Sequence, residues 1–564
     1  MKFHEFPYQR PSLEKVEKDF LQCVTQFKEA SDLEAAIEVI QQINALRTEF
    51  ETQREIAMIR MTIDTTDEFY QAEQDYFDEV SPIYENLLWQ YSLALVNSPL
   101  RSALEEKYGQ QLFRLADMAI KGFHPSIIEL LQQENRLTTE YQKLMASAKI
   151  PFEGEERTLS QMTPFVQDKD RTMRKNASLA VTGFMHEHEE EIDRIYDDLV
   201  KLRTKIAKKL GFSNFVELGY VRMNRMDYNA KMVEGYREAV KRYLVPIATK
   251  LRERQKQRLG LDTLYYYDES INFTNGNAVP QGNPDWILEQ GKTMYDELSP
   301  ETKAFFSFMV EHELLDLVSK KGKSGGGYCT YIPGYQAPFI FSNFNGTSGD
   351  VDVLTHEAGH AFQVFTSKSQ PLPEYYWPTY ESAEIFSMSM EFLTWPWMNL
   401  FFKEQEQKYK FSHLSGSLLF VPYGVCVDAF QHYVYENPDA SPAERKQAWR
   451  QLEKEFLPHR DYEDNAYFEQ GAFWHRQSHI FMSPFYYIDY TLAQICAFQF
   501  WQKAEQDRPK AWQDYLRICQ AGGSKSFLEL VELADLSSPF EASTMATTMA
   551  PVEAYLASID DLAL

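Results

Sequence analysis

Hydrophobic residues recur three and four positions apart through most of the chain, with Glu, Lys and Gln between them. The stretch LEAAIEVIQQINALRTEFETQREIAMIRM, beginning at Leu33, is typical. This spacing places apolar side chains along one face of a helix, so it predicts long amphipathic, antiparallel helices over residues 12–150. The stretch KIPFEGEERTLSQMTPF interrupts the pattern with a short hairpin-like segment, which predicts a domain boundary near residue 150.

Helical periodicity then resumes to about Leu259 and again from Pro284. The clear strand signal is GGGYCTYIPGYQAPFIFSNFNGTSGD, where aromatic and β-branched residues alternate between glycine and proline turns. We expect APFIFSNF to form a sheet edge that binds peptide main chain. The sequence predicts a mainly α fold, with an N-terminal helical lobe over 1–150, a second domain over 151–564 and a small β-sheet.

A candidate metal-binding motif follows this strand segment, in DVLTHEAGHAF. Ser348 or Asp350 is expected to cap a helix near 351–366. On that helix His356 and His360 lie one turn apart on one face, where both imidazoles can reach one ion. Glu357 lies about 100° around the helix, where it can reach a water on the metal without binding the metal itself.

A third ligand is expected on the next helix, predicted near 380–394. Glu384 follows His356 by 28 positions and lies beside an apolar stripe, where a carboxylate is costly unless it meets a cation. Two imidazoles and a carboxylate leave Zn²⁺ an open position for water. Asp352, Glu381 and Glu391 remain open: each could orient a ligand imidazole or be a solvated or capping carboxylate.

Composition narrows the function classes. The 564 residues are 44% hydrophobic, enough for a large core, and the net charge of −26 disfavours nucleic acid and anionic membranes. The start has no apolar signal-like region, and the longest apolar run, LLFVPYGVCV, is about half a bilayer span. We therefore expect a soluble, cytoplasmic protein. Its five scattered cysteines are predicted to be reduced core residues.

Four segments together resemble oligoendopeptidase F of the thimet-oligopeptidase family: NFNGTSGDVDVLTHEAGHAF, ESAEIFSMSMEF, VPYGVCVDAFQHYVYENP and QSHIFMSPFYYIDYTLAQICAFQFW. The resemblance covers residues from about 150 to the end. It implies a helical two-lobed metallopeptidase with a deep channel that admits short unfolded peptides. It also implies one Zn²⁺ per chain, held by His356, His360 and Glu384, with Glu357 as general base.

The resemblance further implies a His and Tyr cluster that stabilises the negative oxygen of the tetrahedral intermediate. HIFMSPFYYIDY supplies phenolic or imidazolium donors for that oxygen. Thimet-type relatives have two tyrosines seven apart here, whereas Ser483 stands seven before Tyr490. We therefore expect Tyr490 and His479 to act, Tyr487 to be a weaker candidate, and Tyr486 to contribute packing.

The predicted function is that of a zinc endopeptidase, in which Glu357 assists the attack of a metal-bound water on internal bonds of oligopeptides. The predicted partners are oligopeptide substrates, with no nucleic acid and no membrane. Two alternatives stay open: a related carboxypeptidase or dipeptidase, and a catalytically silent peptide-binding relative. Cleavage preference and oligomeric state cannot be read from the sequence.

Overall fold

Helices form most of the chain in the computed structural model, which describes residues 1–564. The helices that precede the first strand are α1 (Leu13–Lys28), α2 (Leu33–Ile63), α3 (Glu68–Val96), α4 (Arg101–Tyr108), α5 (Gln111–Gly122) and α6 (Ile128–Ala146). The predicted hairpin consists of β1 (Ile150–Phe152) and β2 (Glu155–Arg157).

Helices then continue to the end of the chain, interrupted by one three-stranded sheet. Before the sheet lie α7 (Leu159–Val166), α8 (Arg171–Glu187), α9 (Glu189–Lys209), α10 (Phe215–Arg222), α11 (Ala230–Tyr243), α12 (Val245–Arg258), α13 (Pro284–Leu298) and α14 (Pro300–Glu311). The sheet contains β3 (Leu315–Val318), β4 (Tyr328–Ile332) and β5 (Ala337–Phe344). After it come α15 (Gly349–Ser367), α16 (Tyr380–Leu393), α17 (Met398–Phe402), α18 (Glu406–Glu436), α19 (Pro442–Phe456), α20 (Ala466–Glu469), α21 (Ser478–Met482), α22 (Tyr487–Gln506), α23 (Arg508–Ala521), α24 (Phe527–Leu533) and α25 (Ala542–Ser558).

The helices enclose two hydrophobic cores. The smaller core lies among α1 to α5, where Phe50 stacks on Tyr84 with ring centroids 4.1 Å apart. The larger core extends from α6 to α25 and also takes in the first residues, including Phe3. The predicted mainly α fold is confirmed. The division near residue 150 stays a prediction.

The sheet differs from the prediction in which strand forms the edge. The strand order is β3-β5-β4, with β3 parallel and β4 antiparallel to β5. APFIFSNF is therefore the central strand, because the unpredicted strand β3, just after His312, pairs with its other side. The free edge near the candidate site belongs to β4.

Helix α15 lies between this sheet and α16. It begins at Gly349 and ends at Ser367, close to the predicted bounds. The expected caps do not form: the Ser348 side chain makes no cap bond, and Asp350 instead accepts hydrogen bonds from the backbone of the preceding turn. At Gly359 a Cβ would lie 2.6 Å from the backbone of α16, so glycine permits the two helices to approach closely.

The segment between α15 and α16 is held in the smaller core. Leu372 and Tyr375 are members of that core although they lie far from it in sequence. The Tyr375 hydroxyl accepts a hydrogen bond from the Leu112 backbone at 3.0 Å and donates to the Tyr108 carbonyl at 2.8 Å. This segment is called the interlobe link below, and it comprises residues 368–379.

Two further predictions concern location and cysteines. Residues Tyr380–Glu436 include a window apolar enough to cross a membrane, but 67% of that window is buried inside the protein, as in a core helix. The predicted absence of a membrane and the cytoplasmic location stay predictions. All five cysteines are unpaired; four are buried, whereas Cys329 is half-buried and lines a cavity of about 1200 Å³.

Candidate metal centre

The three predicted metal ligands converge on one point. The Nε2 atoms of His356 and His360 lie 3.2 and 3.3 Å from the same oxygen, Oε2 of Glu384. All three ligand atoms lie within 4.8 Å of one another. The structure thus brings together two adjacent turns of α15 and the first turns of α16.

A half-buried carboxylate, that of Glu391, contacts the first imidazole. Oε1 of Glu391 lies 2.7 Å from Nδ1 of His356, and its other oxygen lies 2.8 Å from Nε2 of His413. The Trp395 indole donates to Nδ1 of His413 at 3.2 Å. Because Nδ1 of His356 faces a carboxylate, a neutral imidazole would carry its proton there, which would leave the lone pair of Nε2 for an ion beside Glu384.

The Glu384 carboxylate is almost fully buried, with 1% of its side chain exposed. Ser387 donates to Oε2 at 2.8 Å, and the Tyr486 hydroxyl donates to Oε1. A buried carboxylate that accepts hydrogen bonds from neutral hydroxyls and also faces two imidazoles is a favourable cation ligand.

Glu357 faces the same cavity. It is 6% exposed, and its Oε2 has no hydrogen-bond partner within the protein. Burial raises the pKa of the carboxyl group. A Cβ at Gly327 would lie 3.2 Å from Oε1 of Glu357, so the glycine loop 325–327 lies close to this carboxylate.

The other two candidate carboxylates take different positions. Asp352 accepts a hydrogen bond from the Tyr409 hydroxyl at 2.6 Å and does not contact a ligand imidazole. Glu381 is 1% exposed, and its Oε2 has no partner. Burial and the nearby carboxylate of Asp489 raise the Glu381 pKa well above its usual range. Of the three, Glu391 is the one that contacts the imidazole of a predicted ligand.

His479 and Tyr490 lie together beside the ligands. Nε2 of His479 is 3.1 Å from the Tyr490 hydroxyl, and Nδ1 faces the Gln477 amide nitrogen at 2.8 Å. Burial lowers the pKa of His479 to about 4, so near neutral pH the donor is a neutral imidazole and not the expected imidazolium. Burial also raises the pKa of the Tyr490 phenol, which stays protonated.

The two remaining tyrosines occupy opposite faces. Tyr486 lines the main cavity and donates to Glu384, whereas Tyr487 lines a second cavity of about 410 Å³ behind His479. The contact of Tyr486 with Glu384 was not expected from the sequence. The spacing of Tyr486 from Tyr490 is the signal that could have found it, because residues four apart share a helix face and Tyr487 is rotated away.

The main cavity is a channel of about 1200 Å³. Its wall includes α2, α3 and α5 of the smaller core, the edge strand β4, the glycine loop 325–327, and the candidate metal centre. The channel therefore lies between the two cores, and its floor carries His356, Glu357, His360 and Glu384.

Two family models match the sequence: "Peptidase M3 N-terminal domain" at residues 3–123 and "Peptidase family M3" at 293–549. The solved structure of Pz peptidase A with inhibitor 2 is 60% identical, covers 100% of both chains and has a TM-score of 0.99. A structure from Bacillus anthracis, provisionally described as an oligoendopeptidase F, is 56% identical over 100% of this chain and 99% of its own, with a TM-score of 0.95. A curated oligoendopeptidase F homolog of Borreliella burgdorferi is 24% identical over 387 residues, which are 67% of this chain and 63% of that relative.

Proposed function

Because the chain belongs to peptidase family M3 and is a metalloendopeptidase of the oligoendopeptidase F type, we propose that it depends on zinc and hydrolyses internal bonds of short, unfolded oligopeptides. The predicted family and enzyme class are confirmed by these relatives. We propose three further points: that the metal is zinc, that the site residues have the roles given below, and that the substrates are oligopeptides.

The spacing of the ligand atoms carries the zinc proposal. An ion with tetrahedral ligands about 2.0 to 2.1 Å away separates those ligand atoms by about 3.3 Å. The imidazole nitrogens of His356 and His360 lie 3.2 and 3.3 Å from the Glu384 oxygen. Two nitrogens and one oxygen are a donor set of catalytic zinc sites, and Glu391 supplies the orienting carboxylate.

When bound, zinc supplies Lewis-acid polarisation of the scissile carbonyl and lowers the pKa of water. Glu357 then serves as general base: its unpartnered, buried Oε2 accepts the proton of the attacking water. The raised pKa of its carboxyl group suits a proton that must next pass to the leaving amine nitrogen.

The hydrogen bonds around His479 leave the Tyr490 hydroxyl free to donate. Tyr423 donates to the oxygen of the Gln477 amide, so the amide nitrogen donates to Nδ1 of His479. The proton of the neutral imidazole then lies on Nε2 and is donated to the Tyr490 oxygen. The Tyr490 proton can accordingly be directed at the oxygen that becomes negative during the reaction.

The free edge of β4 provides a place for the substrate main chain. Tyr328, Cys329 and Thr330 of this strand line the channel beside the glycine loop. A peptide added to a sheet edge is held by main-chain hydrogen bonds, which bind many sequences with little side-chain preference. This suits an enzyme that accepts varied oligopeptides.

Metal content tests the zinc proposal. We expect one Zn²⁺ per chain by elemental analysis of purified protein, and we expect chelators to remove both metal and activity. The double variant His356→Ala/His360→Ala should contain no stoichiometric zinc. Full zinc retention in that variant would overturn the ligand assignment.

A cleavage map tests the endopeptidase proposal. One peptide and its end-blocked form are digested, and the products are identified by mass spectrometry. Internal cleavage of both forms supports an endopeptidase. Cleavage that requires a free terminus would instead indicate a carboxypeptidase or dipeptidase, and binding without cleavage would indicate a silent relative.

A further inference from the structure

The channel contains one charge that the protein leaves without an opposite partner. The charged residues of its lining are Arg47, Arg54, Glu357, Glu374, Glu384 and Arg476. Arg47 pairs with Glu374, and Arg54 pairs with Glu55. The other two glutamates belong to the candidate metal centre. Arg476 makes no ion pair and no side-chain hydrogen bond, although it lies in a chain with a net charge of −26.

The Arg476 guanidinium is positioned by an aromatic ring and not by an acidic partner. Arg476 ends a short helical turn, Phe473–Arg476, and its guanidinium lies 5.1 Å from the centre of the Phe473 ring. The Phe473 ring packs in turn against the ring of Phe468, with centroids 5.1 Å apart. Stacking on an aromatic face orients a guanidinium but leaves its donors free. The Arg476 side chain is exposed to solvent and lines the channel.

The position of Arg476 relative to the chemistry sets what it can reach. It precedes His479 by three residues, so their Cα atoms are at most about 11 Å apart. An extended peptide advances about 3.3 Å per residue. A substrate carboxylate at Arg476 would therefore lie roughly two to five residues from the bond that is cleaved.

We propose that Arg476 binds a carboxylate of the substrate, in the first place the C-terminal carboxylate of a short peptide. The planar guanidinium can donate two parallel hydrogen bonds to a carboxylate. The surrounding protein carries excess negative charge, so elsewhere it repels such a group. The enzyme would thus select for a nearby chain end, which favours oligopeptides over long chains. This inference rests on the proposed function of the channel.

Three peptides of one sequence distinguish the possible sources of the carboxylate: a free acid, its C-terminal amide, and an amide with one internal Gln replaced by Glu. We expect the parent enzyme to cleave the free acid with a kcat/KM about tenfold higher than the amide. Arg476→Gln should lose this preference while cleaving the amide at the parental rate. A higher rate for the Glu-containing amide, also abolished in Arg476→Gln, would support the site with a side-chain carboxylate as its ligand.

Arg136→Gln is the matched control, because it removes one exposed positive charge outside the channel lining. It should keep the preference, and Arg476→Lys should keep part of it. If Arg476→Gln retains the full preference for the free acid, the proposal is overturned. A parent enzyme without any preference would overturn it as well.

Binding separates this proposal from the proposed function. Calorimetric titration of the acid and amide peptides into Glu357→Gln and into Glu357→Gln/Arg476→Gln needs no turnover. Tighter binding of the acid only when Arg476 is present supports the carboxylate site, even if zinc-dependent cleavage were not observed. Equal binding of the acid, the amide and the Glu-containing amide to Glu357→Gln would contradict it.

Discussion

The two regions that meet at the floor of the channel are built differently. In the ligand region, helices α15 and α16, the acidic groups Glu384 and Glu391 are buried against imidazoles. In the donor region, residues 477–490, the groups are a neutral imidazole and phenols, linked by hydrogen bonds to an amide. The first region is suited to hold positive charge, and the second to donate hydrogen bonds to a developing negative oxygen.

We expect this difference to separate the binding of the proposed metal from catalysis. Substitutions in the ligand region should change metal content, whereas those in the donor region should change turnover with the metal retained. Two residues do not follow this division between the ligand region and the donor region. Glu357 lies in the ligand region but is proposed to act on protons, and Tyr486 lies in the donor region but contacts Glu384.

The largest expected effect concerns Glu357. Glu357→Gln keeps size and polarity but cannot accept a proton, so we expect turnover to fall by about a thousandfold or more with zinc content near normal. Glu384→Ala should instead lose the metal. Elemental analysis and kinetics on both variants check this pair, and loss of zinc from Glu357→Gln with retention in Glu384→Ala would reverse the two roles.

A smaller effect is expected at Tyr490. If its hydroxyl donates to the oxygen that becomes negative only in the transition state, Tyr490→Phe should lower kcat by about a hundredfold with KM little changed. Tyr487→Phe is the matched control, since Tyr487 lines the second cavity but not the main channel, whereas Tyr490 lines both. Equal losses in both variants, together with lower Tm, would indicate packing and not catalysis.

Tyr486 tests the division between the regions. Tyr486→Phe removes the hydrogen bond to Glu384, and we expect zinc affinity to fall by about tenfold, measured by competition with a chelator. Tyr380→Phe is the control, because its ring packs beside Tyr486 with centroids 4.8 Å apart. Unchanged affinity in Tyr486→Phe would return this residue to the packing role that the sequence first suggested.

The smallest expected effect is a pH dependence of stability. The folded-state pKa of His479 is about 4, below the ordinary value of 6.5, so the unfolded chain binds more protons between these values. His479 therefore stabilises the fold fully above about pH 6.5, and this contribution falls as the pH drops toward 4. We expect the free energy of unfolding, measured with denaturant, to fall less steeply with decreasing pH in His479→Gln than in the parent. If this free energy has the same pH dependence in the variant and in the parent, His479 is not a buried neutral imidazole.

The same two regions show how far the sequence could predict the site. In α15 and α16 the helical period relates His356, His360 and Glu384, and the predicted helix bounds differ from the observed ones by at most two residues. The donor region contains short helices and a residue with positive φ, Phe485, so no single period runs through it. The face shared by Tyr486 and Tyr490 depends on where α22 begins, which the sequence did not reveal.

The sheet was predicted only in part for a related reason. The alternation in 325–350 predicted β4 and β5, which are neighbours in sequence. The short strand β3 has four residues and pairs parallel with β5 after a long connection, so its partner cannot be read from local pattern. Assignment of the sheet edge depends on that non-local pairing, and for this reason the local pattern wrongly predicts an edge position for β5.

The interlobe link has a consequence for the way the protein can be divided. The chain between the helix of His356 and the helix of Glu384 is anchored through Tyr375 to backbone atoms of Tyr108 and Leu112. A gene fragment encoding only residues 151–564 would leave Leu372 and Tyr375 without the core that buries them. We therefore expect the N-terminal helices to be needed for the proposed metal site to form. The two halves of the chain, expressed separately, should bind metal after they are mixed, whereas neither half should bind it alone.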